Sequence, residues 1–160
     1  METKTKSALQ YFKQLAMDNK RIKYPNVPND CLPVTLYKDT TANGLTKCII
    51  DFLTLKGWQA ERNNNTGRHI DRTHKYIDCI GRNRAIGSYE WVRETGTPGT
   101  ADISATIAGK SVKIEVKIGH DRQSELQKKY QLNIERSGGL YFIAKHFEQF
   151  YLWYNKTFAI

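Results

Sequence analysis

The stretch ADISATIAGKSVKIEVKI, residues 101–118, constrains the fold most, because apolar and polar residues alternate on both sides of a glycine-containing turn. Such alternation specifies a β-hairpin with one face buried. Ile103, Ala105, Ile107, Val112, Ile114, Val116 and Ile118 form the apolar face, and Asp102, Glu115 and Lys117 lie on the other. A two-residue turn at Gly109-Lys110 sets Asp102 opposite Lys117 with Glu115 on the next diagonal. A turn at Ala108-Gly109 sets Asp102 opposite Glu115. Because side chains alternate with period two, the three polar residues share a face in either register.

The elements around the hairpin predict what covers its apolar face. Leu45, Ile49, Phe52 and Leu53 recur at helical spacing, with Asn43 as an N-cap and Gly57 as a left-handed stop. WQAER then reads as a short strand. Residues 121 to 137 read as a helix with Leu126, Tyr130 and Ile134 in line, stopped by Gly138-Gly139. LYFIA follows as a buried strand and HFEQFYLWYNK as a closing amphipathic helix, whose aromatic stripe is a core signal. Ala8, Leu9, Phe12, Leu15 and Ala16 form an earlier stripe over 7–17. Pro25, Pro28 and Pro33 interrupt the chain after it, so residues 1–42 are expected as a helix and linker arm, with the main domain at 43–160.

Charge narrows the partner. Lys and Arg number 25 against 16 Asp and Glu, a net charge of +9, which points to a polyanion such as nucleic acid. The excess is dense between residues 62 and 93, where Arg62, Arg68, Arg72, Lys75, Arg82, Arg84 and Arg93 are interleaved with Tyr76, Tyr89 and Trp91. This fits a phosphate-tracking insertion at about 63–98, or equally an irregular solvated loop. The longest apolar runs fall far short of the roughly 20 residues of a membrane span, and the start METKTKSALQ lacks a signal-peptide core. A cytoplasmic protein without membrane contact is expected. Cys31, Cys48 and Cys79 have no paired spacing and read as ordinary thiols.

Two carboxylates held a few ångströms apart repel, and hard oxygen ligands of this kind suit Mg²⁺ or Mn²⁺. Beside a metal and a phosphodiester, Lys117 can position or deprotonate the attacking water and stabilise developing charge. Taken from spacing alone, the triplet also fits a polar outer sheet face with a cross-strand ion pair.

The sequence GTAD at 99–102, followed after twelve residues by EVK at 115–117, resembles the signature of the PD-(D/E)xK nuclease superfamily. The helix ending LKGW, the run RNNNTG at 62–67, the IEVK strand and SELQ at 124–127 before a Gly-Gly resemble its VRR-NUC group. Relatives of that group include phage and bacterial nucleases and archaeal Holliday-junction resolvases. The resemblance spans about 43 to 144. It implies an α/β fold with a restriction-endonuclease-like αβββαβ core and a mixed sheet flanked by helices. It also implies Mg²⁺-dependent hydrolysis of phosphodiesters, with Mn²⁺ as a substitute and DNA as the favoured substrate. Asp102, Glu115 and the backbone carbonyl of Val116 would be metal ligands, Lys117 the catalytic lysine, and Gln127 a neighbour of the cleft. The proline of the superfamily's name is Ala101 here, and the ligand often supplied by the first helix has only Asp51 or Glu61 to match it, Glu61 being the better placed. Two-fold dimers are frequent in the superfamily, so a homodimer is one assembly it implies. A nucleic-acid-binding module without hydrolysis, and a ribonuclease, remain the alternative readings.

Other constellations are weaker. His69, His74 and Cys79 fall at five-residue intervals that match no zinc-ligand pattern. There is no phosphate-binding GxxxxGK[ST] loop and no nucleophile elbow.

Overall fold

The computed structural model describes residues 7–63, 67–92 and 96–158. Its main sheet has four strands in the order β1-β6-β7-β8. They are β1 (Gln59–Arg62), β6 (Ile103–Ile107), β7 (Lys110–Val116) and β8 (Leu140–Ala144), with β8 parallel to β7 and the other pairs antiparallel. Helices α1 (Ala8–Lys23), α2 (Ala42–Leu55), α3 (Glu125–Arg136) and α4 (Phe147–Phe158) complete a mixed α/β fold. Among the described residues no helix is long and apolar enough to cross a membrane.

The β6–β7 hairpin turns at Ala108-Gly109, with φ of 48° and 76°, and Ile107 pairs with Lys110. Of the two registers open from sequence, this is the one that sets Asp102 against Glu115. Two successive positive φ angles give the turn whose twist matches the strands, and the Ala108 Cβ bears the strain of the left-handed conformation there. Ile103, Ala105, Ile107, Val112, Ile114 and Val116 are all buried. They pack into a core with Leu45, Ile49, Phe52 and Leu53 of α2 and Phe147, Phe150 and Tyr154 of α4.

Helix α1, expected to stand apart as an arm before residue 43, joins this same core. Phe12 is fully buried and stacks on Phe147, with Tyr37 and Phe52 also in ring contact. The helix runs past the 7–17 stripe to Lys23, and its first free backbone N–H, at Ala8, reaches Glu148 of α4 at 2.8 Å. A buried phenyl ring of this kind is worth about 3–5 kcal/mol against alanine, so α1 is part of the domain's stability.

Helix α2 is capped by Thr41, whose hydroxyl accepts from the Gly44 N–H at 3.2 Å. Asn43, expected as the cap, lies inside the first turn and accepts from Arg62 at 2.8 Å. Threonine and asparagine both cap well, and the extended backbone at residue 41 decides between them. Gly57 ends the helix at φ 83° as expected.

The insertion is not an irregular loop. Strands β2 (Arg68–Asp71) and β5 (Tyr89–Val92) pair, and β3 (His74–Ile77) and β4 (Asn83–Ile86) pair beyond them. The ladder runs from Arg68↔Val92 to Asp71↔Tyr89, passes a bond from Arg72 N–H to the Ser88 carbonyl, and resumes at His74↔Ile86. Neither side gains or loses a residue, so the two ladders form one hairpin arm.

Candidate active site

The polar side of the hairpin meets the first turn of α3. Continuing the β6–β7 register past Ile103↔Ile114 sets Asp102 beside Glu115. The Asp102 Oδ2 accepts from the backbone N–H of Val116 at 2.8 Å, which ties the half-buried aspartate to the strand between Glu115 and Lys117. Glu115 is 1 % exposed and Lys117 8 %. Lys117 Nζ lies 3.1 Å from Glu115 Oε1 and 3.3 Å from Asp121 Oδ2. The three residues singled out from the sequence are therefore together.

Gln127 joins them. Ser124 caps α3 through a reciprocal box: its hydroxyl accepts from the Gln127 N–H, and the Gln127 Oε1 accepts from the Ser124 N–H at 2.9 Å. With the amide oxygen so engaged, the Nε2 donates to Glu115 Oε1. The capping box thus fixes which end of the amide faces the carboxylate. Gly99 brings the loop before Asp102 close to this turn. Its φ is 80°, and a Cβ there would lie 2.5 Å from the backbone of Leu126.

Burial raises the Glu115 carboxyl above its ordinary range, and the Asp102 charge adds to this against the opposing pull of Lys117. Burial pulls the Lys117 ammonium down, but Glu115 and Asp121 outweigh it and hold it above its usual value. In this arrangement the two carboxylates favour the ammonium form of Lys117. The Tyr141 phenol is raised by burial and by Glu115.

The remaining predicted residues divide. Val116 is at the site, through the amide that holds Asp102. Glu61 shares the sheet face of Asp102 but is exposed and pairs with Ser104, one step along the strand. The position beside Asp102 is Asn63, whose backbone N–H donates to the Asp102 carbonyl at 2.8 Å and whose side chain donates to the Ala101 carbonyl at 2.7 Å. Asp51 is held elsewhere, by Tyr37 at 3.0 Å and Lys47 at 2.8 Å. Among the described residues no three His, Cys, Asp or Glu side chains come together as a metal-holding group, so neither Glu61 nor Asp51 completes a triplet with Asp102 and Glu115.

Of the basic residues, Arg62 binds Asn43 at the end of β1, whereas Arg68, Arg72, Lys75, Arg82 and Arg84 lie on the arm. Arg93 lies outside the described residues. Asp121, Asn63 and Tyr141 were missed from sequence. Asp121 carried one signal, its place four residues after Lys117, and Asn63 needed only the β1–β6 register.

A cleft of about 200 Å³ opens beside Lys117, lined by Asp121, Arg122, Gln123, Ile143 and Lys145. Its cations suit an anionic ligand. A larger cavity of about 350 Å³ lies between α1 and residues 34–37. Asp102 and Glu115 do not line it. No protein-family model, curated protein or solved structure matches the chain.

Proposed function

We propose that this chain is a metal-dependent nuclease that hydrolyses phosphodiester bonds, with DNA as the favoured substrate and endonucleolytic cleavage as the mode. The proposal includes a restriction-endonuclease-like core, for which the order α2, β1, β6, β7, α3, β8 gives support, and a relationship to the VRR-NUC group of the PD-(D/E)xK superfamily. The observation that carries it is the cross-strand placement of Asp102 and Glu115 beside the buried ammonium of Lys117.

Two carboxylates at this spacing fit a hard divalent cation, Mg²⁺ or in its place Mn²⁺, and the Asp102 charge that raises Glu115 is what such a cation would relieve. When bound, the cation supplies Lewis-acid polarisation of the phosphodiester. Asp102 and Glu115 would hold it, with the Val116 carbonyl as a further oxygen donor. Gln127 keeps Glu115 oriented through the capping box. Lys117 stabilises negative charge building on the phosphorus-bound oxygens, a role for which its ammonium beside Glu115 is suited. Lys145 and Arg122 line the adjoining cleft and hold the flanking phosphates.

The test is incubation of the purified protein with supercoiled plasmid and with labelled linear, flap and four-way DNA and matched RNA, in Mg²⁺, Mn²⁺ or EDTA. Metal-dependent cleavage of DNA that disappears in Asp102→Ala and Lys117→Ala supports the reading. Binding without cleavage of any substrate in either metal overturns it in favour of a binding module.

A further inference from the structure

The arm between Gly67 and Val92 has no core of its own. Its strands meet mainly each other, and most of their residues are exposed. Tyr76, Ile77, Ile80, Ile86, Tyr89 and Trp91 are between 49 % and 70 % exposed. A two-stranded ribbon left bare in this way is costly unless something covers it.

We propose that the arm is a docking surface for double-stranded nucleic acid, seated in a groove of the duplex. Alternation with period two, carried across a break of equal length in both strands, assigns Arg68, Arg72, Arg82 and Arg84 to one side of the ribbon. That side winds with the twist of the ribbon, as a groove winds along a duplex. Five cations on the arm, Lys75 included, face three acids, Asp71, Asp78 and Glu90. Two arginines are paired: Arg72 with Glu90 at 2.7 Å and Arg84 with Asp78 at 3.0 Å. Their side chains are 61 % and 53 % exposed, and pairs of that kind are weak enough to be exchanged for phosphate.

The dimensions agree. A two-stranded β-ribbon fits the major groove of B-form DNA, and the arm reaches roughly 30 Å from Arg68 to its tip. Asp78 orders that tip: its carboxylate accepts from the N–H groups of Ile80 and Arg82 at 3.1 and 2.8 Å and from the Arg84 guanidinium. The exposed Ile77 and Ile80 beside it are apolar surface that a groove would cover. The outgoing leg leaves from Asn63, which is bonded to Asp102, and the returning leg passes Gly99 against α3. Both points at which the arm joins the domain in sequence thus adjoin the carboxylate site.

This inference deepens the nuclease reading by assigning the surface that takes the duplex, and rests on that reading for the reaction but not for the binding. Binding is measured in EDTA with the full chain carrying Asp102→Asn, using a fluorescent 30-base-pair duplex and its single strand across a salt series. Replacing Arg68, Arg72, Arg82 and Arg84 together with alanine should weaken duplex binding at least tenfold and reduce the slope of log K against log salt by about 3 to 4. The matching lysine replacements should retain most of the affinity. An unchanged far-ultraviolet spectrum and melting temperature confirm that the domain is intact. Duplex affinity within twofold of the parent after the alanine replacements overturns the proposal. So does a clear preference for the single strand, which would assign Trp91 and Tyr89 to base stacking instead. Arm-dependent duplex binding by a wild-type chain that never cleaves leaves this proposal standing and sinks the nuclease reading, whereas cleavage insensitive to the arm does the reverse.

Discussion

The Asp102 carboxylate and the Val116 backbone N–H are 2.8 Å apart, so a side chain at the start of β6 is anchored to the strand segment that carries Glu115 and Lys117. Charge and anchoring are therefore separable at residue 102. Asp102→Asn keeps an acceptor for the Val116 N–H, and its melting temperature should stay within a few degrees of the parent. Asp102→Ala leaves that N–H without its partner, at a cost of about 1–3 kcal/mol. In the nuclease reading both variants lose cleavage, and both lose stabilisation by Mn²⁺ in a thermal melt. An Asp102→Asn chain that Mn²⁺ still stabilises as strongly as the parent would rule out the aspartate as a ligand.

Gln127 tests the same pair from the helix side. Its Oε1 is committed to the Ser124 N–H, so it is the Nε2 that donates to Glu115. In Gln127→Glu the capping acceptor survives, but a carboxylate replaces the donor next to a buried carboxylate that Asp102 already disfavours. Destabilisation of about 2–3 kcal/mol at neutral pH is expected. Protonation of the cluster restores a donor, so the deficit should shrink as pH falls. Mg²⁺ should also shrink it if the cluster holds a cation. Melting curves at pH 5 and 8, with and without Mg²⁺, check both signs.

The hairpin and the clustering of its polar residues were legible in the sequence because strand alternation is strict there, and either register of the turn leaves Asp102, Glu115 and Lys117 on one face. The register itself was open, since Ala108 at φ 48° is a conformation that composition disfavours. Helix α1 was misplaced because the prolines that follow it signal a break in the backbone but say nothing of where Phe12 packs. The strands of the basic insertion were missed for a different reason: with both faces exposed they show no apolar alternation, and their pairing is written only in the register that joins Arg68 to Val92. The second ion pair of Lys117 was hidden because Asp121 reaches it from beyond the strand.

The thiols offer a check that is independent of function. Cys31 and Cys79 are exposed, whereas Cys48 is buried in α2 and donates to the Lys38 carbonyl at 3.7 Å. Burial, with Asp39 and Asp51 adding to it, pushes the Cys48 thiol up to about 11. At pH 8 a chromogenic thiol reagent should therefore titrate two thiols quickly and the third only on unfolding. The sign for stability follows from a raised acid: below the unfolded thiol's range Cys48 contributes nothing to pH dependence. As pH climbs through about 11 the fold loses up to about 3 kcal/mol from this group. Cys48→Ala should flatten that alkaline decline in urea melts at pH 9 to 11. An equal decline in the variant would assign it to other groups.

Gly99 links the approach to Asp102 with the helix that carries Gln127, and its requirement is steric as well as conformational. The residue sits at φ 80°, where a side chain is strained by about 1–2 kcal/mol, and an added Cβ would meet the Leu126 carbonyl carbon and oxygen at 2.5 Å and the Gln127 nitrogen at 2.9 Å. All three are backbone atoms that cannot rotate away, so either the loop or the first turn of α3 must move. Gly99→Ala should destabilise the chain by about 2–4 kcal/mol and disturb the bond from Gln127 to Glu115 although it alters no polar group. Hydrogen exchange at the first turn of α3 should rise, with little change at the β6–β7 core pairs. In the nuclease reading, kcat should fall together with the melting temperature, while duplex binding through the arm is retained. Gly99→Ala with parental exchange and stability would show that the loop and helix are not coupled as this packing requires.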